Sequence, residues 1–324
     1  MRLKGFMAVL IALALVTTGF ISVAEAKPFR VAWVMPSTIN DYGWCQSFYE
    51  ALVDIQKEMG GKKNFDFTYS ELLFMLDDAD AAIRDYASQG YDLIVAHGSQ
   101  YGSLLKNIAP DFPKISFCWG TGGDPFTDQG IKNVFGYSCL ADQSGFAMGA
   151  LAGKLTTTGI IGWVGPVEAS STKSFCDGFK VGVKYANPKA KVNATWTGSY
   201  SDLALASEAA QAHISAGADV LAGHAQIQVA IINACAQRGV YFLGAQTNQI
   251  PFNPGTVLAS QVNMWKVALM PMIKTIKSGT LGGTKFELTL ENGGQVIVVN
   301  DPLLQKAFIG DNIQKIIEGE IKTK

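Results

Sequence analysis

Short, uninterrupted apolar runs recur along the chain at 29–35, 91–97, 114–119, 133–139, 160–164, 219–223 and 240–244. Runs of this length without polar alternation predict strands buried on both faces. Three more strands are expected at 67–71, 192–197 and 255–262. Stretches of helical period lie between them at 45–59, 79–89, 142–155, 171–185, 204–216, 227–238 and 265–278. Several end on stop signals, such as Gly60-Gly61, Gly90 and Asn187-Pro188. Strand alternating with helix predicts a mainly parallel sheet with right-handed crossovers.

The series restarts after Thr156-Thr-Thr-Gly159, so the fold class expected is α/β with two doubly wound lobes, mainly parallel sheets flanked by helices, joined by a hinge. Helix 142–155 carries Ala147, Gly149, Ala150, Ala152 and Gly153, small residues that let a neighbouring layer approach. Residues 286–300 read as a hairpin turned at Asn292-Gly293, and 303–322 as a terminal helix. The expected division is a leader at 1–26, a first lobe of 27–139 plus about 264–324, and a second lobe of 140–263.

The leader reading rests on a basic start, an apolar stretch over 6–23 and the small-x-small end Ala24-Glu-Ala26. That is the form of a secretory signal peptide cleaved after about Ala26, which places the mature chain in the periplasm. No later segment has the apolar length of a membrane span. What remains is roughly 300 residues, suited to two lobes. A net charge of −1 with no basic block argues against nucleic acid as a partner. The five cysteines, Cys45, Cys118, Cys139, Cys176 and Cys235, are scattered and odd in number, so at least one is unpaired. Cys118 and Cys139 lie in adjacent strand-like runs, which leaves a pairing between them open.

In open α/β sheets ligands bind beyond the carboxyl ends of the strands. Asn40, Asp41 and Trp44 sit where the first strand gives way to the first helix. They read equally as a polar turn beside a core aromatic or as a flat ligand face with hydrogen-bonding neighbours. Gly98 and Ser99 follow another strand and open a helix, with backbone N–H groups available to a polar ligand or simply to a turn. Trp119 ends a strand before glycines, as a site aromatic or as core. Tyr200 lies in Gly198-Ser-Tyr-Ser-Asp202, with Asp202 a natural helix N-cap. His224 and Gln246 end two further strands, and Asn248 follows closely.

Catalytic sets are missing from the pattern. The three histidines, His97, His213 and His224, have no metal-ligand spacing, and neither a G-x-S-x-G elbow nor a phosphate loop occurs. No enzyme activity, metal or cofactor is therefore expected.

Asn40-Asp-Tyr-Gly-Trp44, Gly149-Ala-Leu-Ala-Gly153, Thr158-Gly-Ile-Ile-Gly162, Phe175-Cys-Asp-Gly-Phe-Lys-Val-Gly-Val183, Gly217-Ala-Asp-Val220 and Gln261-Val-Asn-Met-Trp265 occur in this order. Together they resemble the basic membrane protein family, periplasmic nucleoside- or nucleobase-binding proteins of ABC importers, across the whole mature chain. The resemblance implies a periplasmic-binding-protein fold and a base clamped between aromatics at Trp44 and Tyr200. It also implies an acid and a lysine for the ribose diol, where this chain has Gln246 and Asn263. Both charged ribose contacts are missing, which favours a free purine base or related heterocycle over an intact nucleoside. The expected ligand set is Asn40, Asp41, Trp44, Gly98, Ser99, Trp119, Tyr200, His224, Gln246 and Asn263. The expected partners are a purine-like small molecule and a membrane permease, with the protein a monomer. A sugar or other small-solute binder on the same fold, a nucleoside-processing enzyme, and a sensor reporting to a receptor are the rival readings.

Overall fold

The computed structural model describes residues 27–307. The leader expected at 1–26 and the terminal helix beyond residue 307 lie outside the described residues. Five strands begin the chain: β1 (Phe29–Val34), β2 (Phe65–Ser70), β3 (Leu93–Ala96), β4 (Ser116–Gly120) and β5 (Val134–Cys139). Helices α1 (Trp44–Glu58), α2 (Leu76–Ser88) and α3 (Gly102–Ile108) connect the first four. After α4 (Ala141–Leu155) comes a second series: β6 (Ile160–Gly165), α5 (Ser170–Ala186), β7 (Lys191–Trp196), α6 (Leu203–Ser215), β8 (Val220–Gly223), α7 (Gln228–Arg238), β9 (Tyr241–Gly244) and β10 (Val257–Asn263). The chain then runs through α8 (Lys266–Lys277), β11 (Lys285–Leu288), β12 (Gln295–Val299) and α9 (Asp301–Ala307).

Among the described residues the strands form two six-stranded sheets, ordered β11-β5-β4-β3-β1-β2 and β12-β10-β9-β8-β6-β7. All neighbours are parallel except β10 and β12. In each lobe the chain leaves its first strand in one direction and later returns on the other side, so the order reverses between β1 and β3 and between β6 and β8. The crevice beyond those strand ends is where an open sheet presents ligand-binding loops. The apolar runs explain the cores. Trp33 and Trp163 sit at equivalent places in β1 and β6, both fully buried.

The hairpin expected at 286–300 is not formed. The turn itself exists, with Gly293 at φ 70° and Asn292 bonded to Thr289. Its two strands diverge into different sheets: β11 pairs with β5, and β12 pairs with β10. An Asn-Gly signal reports the bend and not the partner. The chain after Ser260 accordingly serves both lobes. Helix α8 buries Leu269, Met272 and Ile273 in the first core, whereas Leu303 and Leu304 of α9 enter the second. Among the described residues three crossovers therefore join the lobes: β5 to α4, β10 to α8 and β11 to β12.

Helices α4 and α5 touch backbone to backbone. A Cβ on Gly149 would lie 2.0 Å from the Phe179 carbonyl oxygen, and one on Gly182 would lie 2.0 Å from that of Phe146. Gly149 on α4 is thus required by this approach. The cysteines form no disulfide. Cys118 is in register with Phe135, four residues short of Cys139, about 13 Å along the strand.

Candidate functional site

A cleft of about 640 Å³ opens between the lobes at the two reversal points. The segments after β1, β3, β6 and β8 line it, contributing Trp44, Ser99, Gln100, Ser171, Ala225 and Gln226, joined by Tyr200 and Gln246. A smaller pocket of about 10 Å³ adjoins it, sharing Trp44, Ser171 and Gln246 and adding His224, Gln261, Asn263 and Gln295. Of the ten residues expected in the site, Trp44, Gly98, Ser99, Tyr200 and Gln246 line the cleft, and His224 and Asn263 line the small pocket.

Three do not. Asn40 is exposed on the approach loop. Asp41 is occupied in starting α1: its carboxylate accepts the N–H groups of Gly43 (2.9 Å), Cys45 (3.1 Å) and Gln46 (3.0 Å). An anion is stabilised at a helix N-terminus by the same donors that the helix leaves unpaired. Burial pushes its carboxyl up and those three bonds oppose the shift. Trp119 stacks on Phe126 with centroids 5.5 Å apart, and its indole N–H donates to the Gly98 carbonyl at 3.2 Å. It supports the Gly98 loop from behind and lines neither cavity.

Trp44 begins α1 and is 8% exposed. Its indole N–H donates to the His97 carbonyl at 3.2 Å, and Trp265 meets it edge-on with centroids 4.8 Å apart. The ring enters the cleft already fixed. Tyr200, on the opposite lobe, is half-buried. Burial raises its phenol, partly offset by a side-chain hydrogen bond with Thr172. The two rings thus line one cavity from separate lobes.

Two kinds of frustration concentrate here. Seven non-glycine residues have positive φ among the described residues, and five of them line the cleft: Leu72, Thr121, Ser170, Ala225 and Gln246. Left-handed backbone costs an ordinary residue on the order of 1–3 kcal/mol, and such strain gathers at binding sites. Among the described residues, four buried side-chain atoms belonging to residues that line the two cavities lack hydrogen-bond partners: Gln100 Nε2, Gln226 Oε1, Gln246 Oε1 and His224 Nδ1. Burial lowers His224 to about 4, so its imidazole is neutral at ordinary pH. Among the described residues, neither cavity is lined by any Asp, Glu, Lys or Arg. Sequence reading missed Gln100 and Gln226, although each lies within three or four residues of a strand end, the signal used for their neighbours.

Arranged this way, the cleft can hold a flat uncharged molecule and satisfy its polar edge. Groups of His, Cys, Asp and Glu able to hold a metal do not occur among the described residues. No helix there is long and apolar enough to cross a membrane.

The chain is 29% identical over 301 residues to the transcriptional activator protein med of Bacillus subtilis, covering 92% of this chain and 90% of that one. It is 26% identical over 257 residues to a purine-binding protein of Brucella abortus, covering 79% and 71%. A solved ABC transporter solute-binding protein from Conexibacter woesei superimposes with a TM-score of 0.73 at 23% identity, covering 90% of this chain and 94% of that one. The family model for Bmp, described as ABC transporter substrate-binding protein, PnrA-like, matches residues 29–324, and the chain belongs to that family of ABC transporter substrate-binding proteins.

Proposed function

We propose that this protein captures an uncharged purine base or a closely related heterocycle in the periplasm and presents it, as a monomer, to the permease of an ABC importer. The observation that carries the reading is the composition of the cleft. Aromatic faces and unpartnered amides line it, and charged side chains do not. A buried ionic ligand would require a counter-charge, because an unpaired charge removed from water costs far more than a neutral polar group. The kinship with a purine-binding protein supports the same ligand class. In this reading Trp44 and Tyr200 stack on the ring, and Gln100, Gln226, Gln246, His224 and Asn263 read its edge. Contacts to both lobes favour the closed arrangement over the open one.

An intact nucleoside is the second reading, favoured by the serine- and threonine-rich rim of Ser37, Ser99, Thr121 and Ser201 and by a cleft larger than one bicyclic base fills. The test is a thermal-shift screen of purine bases, nucleosides, pyrimidines and monosaccharides. A ligand at one hundred times its Kd stabilises the folded state by about 2.7 kcal/mol. A response to monosaccharides alone would end the heterocycle reading.

A further inference from the structure

The three crossovers between the lobes meet in a chain of buried amides. Gln295, at the start of β12, donates its Nε2 to the carbonyls of Leu140 at 3.0 Å and Leu288 at 2.8 Å. Its Oε1 faces the Nε2 of Gln261 on β10 at 3.4 Å. The same Gln261 Nε2 donates to Asn263 Oδ1 at 2.8 Å, while Gln261 Oε1 accepts the backbone N–H of Gln246 at 3.0 Å.

Backbone groups fix the direction of this chain at both ends. A carbonyl only accepts and a peptide N–H only donates. Turning any one amide over would set two oxygens, or two N–H groups, against each other in a buried place. Gln261 is therefore held with Nε2 toward Asn263, and Asn263 is held with Oδ1 occupied. The Cys139 thiol, 3.6 Å from Oδ1, offers that atom a second donor. The end of the Asn263 amide left over is Nδ2, a donor. Asn263 lines the small pocket, whose volume of about 10 Å³ takes one water-sized group.

We propose that Asn263 Nδ2 is the specificity-determining donor of this site, with its polarity imposed by Gln261 and Gln295, and that the cargo carries a ring carbonyl that enters the small pocket. The inference rests on the heterocycle reading given above and narrows it to lactam-type bases. A 6-oxopurine offers an acceptor there. A 6-aminopurine sets N–H against N–H and leaves both unpaired.

Isothermal titration of the exported chain with hypoxanthine and with adenine tests this. The wild type is expected to bind hypoxanthine about tenfold or more tighter. In Gln261→Glu the carboxylate still accepts from Gln246 but has no donor for Asn263. Asn263 then turns Nδ2 inward and shows Oδ1 to the pocket, and the preference shifts toward adenine by about tenfold or more. Equal losses for both ligands would reduce Gln261 to a structural role and overturn the proposal. Should that variant fail to fold, Asn263→Asp replaces the donor directly and is expected to weaken hypoxanthine more than adenine; equal weakening has the same overturning force. If the wild type binds both bases equally, only the donor assignment fails. If it binds neither while another heterocycle or a nucleoside shifts its melting temperature, the lactam proposal fails alone; if none of them does, the heterocycle reading fails with it.

Discussion

The indole of Trp44 lies flat on the imidazole of His97, with ring centroids 4.4 Å apart and planes within 14°. The imidazole is itself pinned. Its Nε2 donates to the Trp44 carbonyl at 3.2 Å, and Nδ1 accepts from the Tyr137 hydroxyl. One tautomer of a neutral ring satisfies both bonds, and burial lowers its pKa to about 3. The indole that lines the cleft is thus built on a second flat ring that carries no charge.

That arrangement makes stability pH-dependent in a defined direction. His97 titrates near 3 and His224 near 4 in the folded chain, against an ordinary value of 6.5. Above pH 6.5 both are neutral in the folded and unfolded chains, and their contribution is fully present. As pH falls below 6.5 the unfolded chain protonates both of these imidazoles while the folded chain keeps them neutral, and burial lowers His213 in the same direction, so stability declines until pH approaches the folded values. The melting temperature is expected to fall between pH 6.5 and 4.5. In His224→Asn the slope should lessen by about one proton; an identical slope would mean that His224 charges within the fold.

Truncating the two aromatics should separate affinity from stability. Trp44 is a core member, so Trp44→Ala is expected to remove ligand binding and to cost about 3–5 kcal/mol of apo stability. Tyr200 is half-exposed and absent from the hydrophobic cores. Tyr200→Ala should weaken binding by about 1–3 kcal/mol, as loss of a stacking platform does, with little change in urea midpoint. Titration and chemical denaturation of both variants measure the contrast. Full binding by Tyr200→Ala would remove the second ring from the clamp.

The α4–α5 contact yields a sharper stability test. Gly149→Ala and Gly182→Ala each drive a methyl to within 2.0 Å of a backbone carbonyl oxygen on the facing helix. Alanine normally favours a helix over glycine by about 1 kcal/mol. Here overpacking reverses the sign, and each variant should lose about 1–3 kcal/mol or more in urea denaturation. A gain from either would show that the helices can separate without loss.

Much of this site was legible because position on a strand end is a property of the pattern. Trp44, Ser99, Tyr200, His224 and Gln246 each follow an expected strand, and the sheet topology carries each to a cavity. Pattern does not say which way a side chain turns. Asp41 and Trp119 stand in equally suggestive places, yet one caps a helix and the other stacks on Phe126. The amide chain through Gln261 and Gln295 was hidden for another reason. Its members come from strands 34 residues apart, brought together only when β12 crosses to the second sheet instead of folding back on β11.

Gln246 combines backbone strain with a place on both cavities. It sits at φ 76°, its Oε1 is buried without a partner, and it borders both cavities. Each feature opposes the empty folded state. Glycine adopts this backbone region freely and presents no orphaned acceptor. Gln246→Gly should therefore hold or raise apo stability, by up to about 1–2 kcal/mol, while weakening ligand binding by about 1–3 kcal/mol. Denaturation without ligand and titration with it read the two effects separately. Loss of apo stability with undiminished affinity would show that Gln246 serves the fold and not the cargo.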